Sequence, residues 1–147
     1  MQQAAIAGIG AYAPEQVISN AYMNELLGED VDAWLRANVN IQSRRWCRED
    51  ESVADLCELA AQRALTDAGI VAADLDLIIV STDTPEYISP STAAVLQDRL
   101  GAAKAGTFDL NTACAGFVTA LDVAAKYMAE DERYQHILVV GGYAMSK

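Results

Sequence analysis

Two short runs of apolar residues constrain the fold of this chain more than any other feature. Residues 77–80 read Leu-Ile-Ile-Val and residues 137–140 read Ile-Leu-Val-Val, so neither run alternates with polar positions. A strand with one face in water shows such alternation, whereas a strand covered on both faces does not. The runs therefore predict a parallel or mixed sheet with helices on its faces, which is an α/β layered fold.

Segments with helical end signals alternate with these strands. The clearest helix begins at Ser52, which together with Asp55 resembles a capping box, and it ends at Gly69. Ser91 caps a second helix, and residues 115–128 form a third that is rich in small side chains. This order of strands and helices supports the α/β prediction.

The first fifty residues predict shorter elements. Residues 4–12 alternate like a short strand that two glycines interrupt. Asn20 is expected to cap one short helix, and Asp30 or Asp32 a second, before an extended piece at residues 41–47. Because no linker, repeat or low-complexity stretch is present, the whole chain is expected to form one domain.

The composition excludes several classes of function. Hydrophobic residues make up 52% of the 147 residues, which is enough for a core, and the net charge of -11 disfavours nucleic acid as a partner. No apolar run is long enough to cross a bilayer and no secretory signal opens the chain, so a cytoplasmic protein that does not bind membranes is expected. Three cysteines without a CxxC pair predict neither a disulfide framework nor a metal site.

The last residues suggest that the fold is incomplete. Residues 145–147 follow directly after the second apolar run, and no helix comes after them to cover it. Four or five modest helices cover less surface than such apolar strands require. The sequence therefore predicts half of a larger fold.

The segment Phe108–Phe117, FDLNTACAGF, carries the clearest chemical signal. A strand is expected to end near Leu110, with a tight turn after it and a helix that begins just after Cys114. A thiol near a helix N-terminus is placed where the helix dipole and the free N–H groups favour the thiolate. Its small neighbours leave room for a substrate, as in a nucleophile elbow with sulfur in place of oxygen. The alternative is a buried cysteine that packs as a small apolar residue.

This segment resembles the active-cysteine motif of the β-ketoacyl-acyl carrier protein synthase III family, within the thiolase-like condensing enzymes. The resemblance covers essentially the whole chain, including GIGAYAPE at residues 8–15 and the Asp-x-Trp segment at 32–34. It implies that residues 1–147 are the N-terminal half of a thiolase-like layered fold, a mixed sheet flanked by helices. The C-terminal half is then absent from this chain.

The resemblance also implies a reaction. Cys114 would accept an acyl group from acyl-CoA or acyl carrier protein, and the acyl group would then undergo decarboxylative Claisen condensation with a malonyl thioester, in fatty acid or polyketide biosynthesis. Such enzymes bind no permanent cofactor and form homodimers. Their decarboxylating His and Asn belong to the C-terminal half, in the same or a separate chain. His136, the only histidine here, does not match that position and is expected at the surface.

One departure from the family pattern concerns the acyl donor. Where the family has an Arg-Thr-Gly run that helps hold the nucleotide of coenzyme A, this chain has Asn38-Val39-Asn40. This loss of a cation makes a carrier-protein donor, or a nucleotide site shifted toward other arginines, more credible. Trp34 has two possible roles, which are stacking on the adenine, as in the family, and packing in the core.

A second departure concerns the acyl chain. Before Pro90 the chain has Ser89, where family members that use acetyl groups often have a bulky aromatic that limits the acyl pocket. A serine leaves volume and favours a chain longer than acetyl. The alternative is that Ser89 only begins a turn and that other residues form the end of the pocket.

Three hypotheses for the function remain. The first is the condensing synthase of the III type. The second is a non-condensing acyltransferase that passes the acyl group from Cys114 to an oxygen or nitrogen acceptor. The third is a non-catalytic partner subunit of a full synthase, which the intact cysteine motif disfavours because a scaffold does not need an activated thiol.

Overall fold

The computed structural model describes residues 3–147, and it divides the chain into two compact units. The larger unit holds the residues up to Tyr12 together with Ser52–Met145. The smaller unit holds Ala13–Glu51 together with Ser146–Lys147. The chain leaves the larger unit after Tyr12 and returns to it at Ser52.

The described residues form ten regular elements. In chain order these are β1 (Gln16–Ser19), α1 (Asn20–Leu27), α2 (Asp32–Val39), β2 (Ser43–Trp46), α3 (Val53–Ala68), β3 (Leu77–Ser81), α4 (Thr92–Leu100), β4 (Gly106–Leu110), α5 (Gly116–Glu130) and β5 (Ile137–Gly141). Short 3₁₀ turns lie at Ala72–Asp74 and Ala113–Ala115.

The sheet of the larger unit is parallel and has the order β4-β3-β5. The chain moves from the central strand β3 to one edge through α4, and from there to the other edge through α5. Leu77 of β3 pairs with Gly106 of β4 and with Ile137 of β5, and Ser81 pairs with Leu110 and with Gly141. The three strands therefore begin and end together.

Both faces of β3 are covered, as the absence of alternation predicts. On one face, Leu77 and Ile79 cluster with Ala120 and Ala124 of α5. The residues that alternate with them, Ile78 and Val80, are fully buried as well. The helices α3 and α4 pack against each other and against the sheet. This confirms the α/β prediction, with a sheet that is parallel throughout this unit.

Side chains and glycines fix the helix ends as the sequence indicates. Ser52 and Asp55 form a complete capping box at the start of α3, and Gly69 ends it in the left-handed conformation at φ 66°. Ser91 caps α4 by accepting a hydrogen bond from the backbone N–H of Ala94.

The segment before Tyr12 forms no strand, which contradicts the prediction for residues 4–12. Its backbone lies directly on α3, where a Cβ at Gly10 would come within 2.2 Å of the Ala60 carbonyl oxygen. The N–H of Ile9 donates to Asp67, and the Arg63 guanidinium donates to the carbonyl of Ala11. Helix side chains thus satisfy backbone groups that a strand would pair with another strand.

In the smaller unit, β1 and β2 form an antiparallel pair beside α1 and α2. The expected helix caps are displaced by one residue. Ser19, not Asn20, caps α1, and Val31 precedes α2 without a side-chain cap. The Asn20 side chain is buried and donates instead to Asp32 Oδ1 at 2.7 Å and to the carbonyl of Ile41 at 2.8 Å. Neither that use of Asn20 nor the division into units was apparent from the sequence.

Among residues 3–147, no helix combines the length and the apolar character that a membrane span requires.

Candidate active site

Cys114 lies beyond the carboxyl end of the parallel sheet. Ser81, Leu110 and Gly141 are paired at the ends of their strands, and Cys114 follows four residues after Leu110. In open α/β sheets, ligands bind in the crevice outside the carboxyl ends of the strands, where the chain connections leave in opposite directions. The order β4-β3-β5 provides such a point, because the connections from β3 and β4 run to opposite edges.

The turn that carries Cys114 is held by local hydrogen bonds. Asn111 Oδ1 accepts from the N–H of Ala113 at 3.0 Å, and the Thr112 carbonyl accepts from the N–H of Ala115 at 3.2 Å. Ala113 has φ 47°, in the left-handed region that a residue with a side chain rarely adopts. Helix α5 begins at Gly116. This confirms the strand, tight turn and helix start that the sequence predicts around Cys114.

The thiol is exposed in this chain, so the alternative of a buried, packing cysteine does not hold for Cys114. The two other cysteines differ from it. Cys57 is buried on α3, and burial, followed by the charge of Asp109, raises its pKa to about 12. Cys47 is half-buried in the smaller unit.

The first residue of α5 sits against the end of β3. A Cβ at Gly116 would lie 2.0 Å from the Ser81 hydroxyl oxygen, so only glycine fits without a shift of that hydroxyl. On the next turn, Thr119 Oγ1 donates to the Ala115 carbonyl, and the Thr112 hydroxyl donates to Thr119 Oγ1. The start of α5 is thereby fixed to the cysteine turn and to the central strand.

Ser89 lies in the exposed loop between β3 and α4, and the peptide bond that joins it to Pro90 is cis. The loop starts at Thr82, whose N–H donates to the Leu110 carbonyl at 3.2 Å. At its far end, Asp109 accepts hydrogen bonds from the N–H groups of Thr92 and Ala93, each at 2.7 Å. Both ends of the loop are thus attached to consecutive residues of β4.

His136 lies at the amino ends of the strands, whereas Cys114 lies beyond their carboxyl ends. It directly precedes β5, and its backbone N–H and carbonyl bond with Asp76 at the start of β3. The strands are five residues long, so the two ends of the sheet are about 16 Å apart at 3.3 Å per residue. His136 is half-buried, more than expected for a surface residue, and it is too far from Cys114 to act as its base.

The smaller unit holds the two other predicted site residues. Trp34 is exposed on α2, with 59% of its surface accessible, so it does not pack in a core of this chain. Asn38 is also exposed, and its Nδ2 donates to the Trp34 carbonyl at 3.0 Å. Asn40 ends the helix in the left-handed conformation at φ 54°, the position for which the family pattern has glycine.

The smaller unit contains four arginines that could replace the missing cation, and each of them has a partner within that unit. Arg36 pairs with Asp32, and hydrogen bonds from Asn20 and then Arg36 lower the pKa of that carboxyl. The remaining three bond with backbone carbonyls or acidic side chains, namely Arg44 with Ile18, Arg45 with Pro14 and Glu15, and Arg48 with Asp50 and Glu51.

The larger unit therefore carries Cys114 and Ser89, and the smaller unit carries Trp34 and Asn38. Asp109 belongs to the cysteine motif, and its contact with α4 was not predicted from the sequence. Its signal in the sequence is a charged residue within a strand of small and apolar residues. Within residues 3–147, no group of three or more His, Cys, Asp or Glu residues is arranged to hold a metal ion.

Comparison with known proteins gives consistent matches. Residues 108–147 match the family described as 3-oxoacyl-[acyl-carrier-protein (ACP)] synthase III. The β-ketoacyl-[acyl-carrier-protein] synthase III of Staphylococcus epidermidis is 43% identical over 97% of this chain and 45% of its own length. The synthase of that name from Geobacillus kaustophilus is 42% identical over 98% of this chain and 46% of its own length.

Solved structures agree with the sequence matches. The 3-oxoacyl-[acyl-carrier-protein] synthase III of Aquifex aeolicus superposes with a TM-score of 0.89 at 34% identity, over 96% of this chain and 45% of its own. The priming β-ketosynthase of the R1128 polyketide pathway gives 0.90 at 35% identity, over 96% and 42%. The fold is thus a thiolase-like layered fold, and the chain spans about 45% of the length of the curated relatives it matches.

Proposed function

Since this chain belongs to the β-ketoacyl-acyl carrier protein synthase III family of thiolase-like condensing enzymes, we propose that Cys114 is the nucleophile that accepts an acyl group from a thioester. The observation that carries the proposal is the position of its exposed thiol, beyond the carboxyl end of a parallel sheet and directly before α5. The amino-terminal end of a helix stabilises negative charge, and a thiolate is the reactive form of cysteine.

The acylation step is a thioester exchange. The Cys114 sulfur attacks the carbonyl carbon of the acyl donor, a new S–C bond forms, and the tetrahedral intermediate expels the donor thiolate. The Cys114 backbone N–H is proposed as one of the two donors that stabilise the oxyanion. The peptide N–H groups on either side already have partners, Asn111 and Thr112, which hold the turn in place.

The second step is proposed as a decarboxylative condensation. A malonyl thioester loses CO₂, its α-carbon attacks the acyl carbon on Cys114, and the cysteine thiolate leaves. His136, the single histidine of this chain, lies at the opposite end of the strands from Cys114, so it does not serve the decarboxylation. We assign the decarboxylating His and Asn to a complementing C-terminal half, in the same or a separate chain. The pathway class is fatty acid or polyketide synthesis, as in the relatives.

An apolar face of α5 supports the proposal of a complementing half. Three apolar side chains on the first turns of this helix are exposed, namely Phe117 at 47%, Val118 at 70% and Leu121 at 36% of their surfaces. Exposed apolar clusters of this kind mark interaction sites. The complementing half is the proposed occupant, because this chain spans about 45% of the length of its relatives.

The assembly is testable with one charged substitution. Val118→Glu is expected to weaken association with the complementing half, measured by native mass spectrometry. Val71→Glu, at a valine that is similarly exposed at 62% in the same unit, is the control and is expected to change nothing. Equal association in both variants would place the contact elsewhere.

Once it contains both halves, the complete protein is expected to form a homodimer.

The acyl donor is proposed as acyl-CoA or an acyl carrier protein thioester, with no permanent cofactor. Exposed Trp34 supports stacking on an adenine, whereas the absence of a cation at Asn38 favours the carrier protein. Asn38→Arg is therefore expected to speed acylation by acyl-CoA but not by acyl-pantetheine, which lacks the nucleotide. An equal effect on both donors would refute a nucleotide contact at residue 38.

Ser89 is proposed to leave room for an acyl chain longer than acetyl. Ser89→Phe is expected to shift the preference of the acylation step toward acetyl, and Ser89→Thr, which keeps a small side chain, is the control. If both variants keep the chain-length profile of the original protein, the end of the pocket is formed by other residues.

The proposal as a whole is tested by the intact mass of the protein before and after exposure to acyl donors. We expect an acyl adduct on Cys114 that disappears in Cys114→Ala and persists in Cys47→Ala. Release of CO₂ from a malonyl thioester, together with loss of the acyl group from Cys114 and formation of a β-ketoacyl thioester, would then establish the condensing reaction. An adduct that passes to an alcohol or amine without CO₂ release would identify a non-condensing acyltransferase. No adduct from any donor, with the complementing half present, would identify a non-catalytic subunit and refute the proposal.

A further inference from the structure

We propose that Asp109 is a positioning residue that holds the Ser89–Pro90 segment in a fixed relation to Cys114. The proposal rests on the proposed acylation of Cys114 and deepens it, because it assigns the acyl-chain selectivity of that step to a contact between β4 and α4. Asp109 itself is expected to touch neither the acyl group nor the reacting atoms.

The contact is a bidentate one between a carboxylate and a helix N-terminus. Asp109 Oδ2 accepts from the N–H of Thr92 and Oδ1 accepts from the N–H of Ala93, each at 2.7 Å. These are the first two residues of α4, and the third, Ala94, is bonded to the Ser91 hydroxyl. Hydrogen bonds from a carboxylate to such N–H groups are charge-assisted and are also favoured by the helix dipole.

The contact joins two segments that are distant in the chain. Pro90 lies two residues before Thr92, so the end of the loop with Ser89 is attached directly to the first turn of α4. Asp109 directly precedes Leu110, the last residue of β4, from which the cysteine turn begins. One side chain thus connects the loop with Ser89 to the strand that carries Cys114.

The other end of the loop is attached independently. The Thr82 N–H donates to the Leu110 carbonyl, and Thr84 Oγ1 accepts from the N–H of Ala144 at 2.9 Å. From Pro85 to Pro90 every residue is exposed. Among the described residues, the Asp109 contact is the hydrogen-bonded attachment to another strand that lies closest to Ser89 in the chain. Its loss is expected to free the Ser89 end of the loop while the Thr82 end stays in place.

Asp109→Asn is the test, in the complete protein. The amide keeps the volume of the carboxylate, but it lacks the charge and can turn only one oxygen toward the two N–H groups. We expect amide exchange at Thr92 and Ala93 to accelerate about tenfold or more, with other helices unchanged. We also expect the ratio of acylation rates for short and long acyl donors to change by about tenfold, the scale of one lost charge-assisted bond.

Asp98→Asn is the matched control, since it makes the same change of charge near the other end of α4. It is expected to leave both readouts within about twofold of the original protein. Alkylation of Cys114 by iodoacetamide reports on the thiol itself and is expected to stay unchanged in both variants, because the Asn111 and Thr112 bonds of the cysteine turn remain.

The outcomes separate this proposal from the proposed function. Unchanged exchange at Thr92 and Ala93, or exchange that accelerates equally in all helices, would overturn the positioning role. Faster local exchange with an unchanged chain-length ratio would also overturn it, because the contact would then only stabilise α4. If the original protein forms no acyl adduct with any donor, the proposed function fails, and with it the selectivity role, whereas the exchange data still show whether Asp109 holds the loop.

Discussion

Replacing Gly116 by alanine tests how tightly α5 is seated against the central strand. The added Cβ would lie 2.0 Å from the Ser81 hydroxyl oxygen, whereas the next atoms, Ser81 Cβ and Thr112 Oγ1, lie at ordinary distances of 3.4 and 3.8 Å. An ordinary contact begins near 3.4 Å, so this single oxygen must move by about 1.4 Å, the difference between the two distances.

The cost follows from that geometry. Ser81 is buried with only 8% of its surface accessible, so its hydroxyl can move only by turning to another rotamer inside the packed unit. Overpacking of this kind typically costs about 1–3 kcal/mol. Because one oxygen causes the clash, Ser81→Ala is expected to relieve it. Gly116→Ala should then cost less than about 0.5 kcal/mol in the Ser81→Ala background.

Urea unfolding of the original protein, both single variants and the double variant measures this coupling. We expect an interaction energy of about 1–2 kcal/mol, with an unchanged slope of the unfolding free energy against urea. Gly116→Ala that is equally destabilising in both backgrounds would refute the assigned contact. A single Gly116→Ala variant that is as stable as the original protein would also refute it.

Three further predictions concern Cys57 and Asp55 of α3 and Ala113 of the cysteine turn. Since burial raises the pKa of Cys57 to about 12, iodoacetamide at pH 8 is expected to leave Cys57 unlabelled in the folded protein and to label it in urea, as read by peptide mass spectrometry, whereas the exposed Cys114 is expected to be labelled in the folded protein. Burial acts to raise the pKa of Asp55, but the hydrogen bonds from Ser52 and further contacts outweigh it, so the pKa is lowered. Stability from Asp55 is therefore present above its unfolded pKa of about 3.9 and is lost as the pH falls through the lower folded value, and Asp55→Asn should flatten the acid-unfolding curve in that window. Ala113→Val places a β-branched residue at φ 47°, and we expect a loss of about 1–2 kcal/mol in urea unfolding together with slower labelling of Cys114; unchanged stability would show that the turn relaxes.

The parts of the fold that were predictable are those with local signals. The absence of alternation in residues 77–80 indicates a strand covered on both faces, and Ile78 and Ile79 are indeed fully buried. The capping box at Ser52 and the glycine after Ala68 define α3 from nearby residues alone. In such cases the sequence within a few residues determines the structure.

The segments that were mispredicted depend on distant partners. Residues 4–12 have the pattern of a strand, but two glycines let the backbone lie on α3, where Arg63 and Asp67 take the hydrogen bonds of a neighbouring strand. Asn20 is of a residue type that often caps helices, but its side-chain amide donates to the carbonyl of Ile41, twenty-one residues away. No local pattern reports such contacts.

The candidate site shows the same division between local and distant information. Cys114 was identifiable because strand, turn, helix and small neighbours are contiguous, and the structure places the thiol where that pattern puts it. Asp109 lies within the same motif, yet it bonds with two N–H groups of α4 that are 16 and 17 residues away. A side chain in the nucleophile motif therefore need not serve the nucleophile directly. We propose that the motif encodes both the nucleophile turn and the attachment of the loop with Ser89, and the exchange and selectivity measurements on Asp109→Asn separate the two roles.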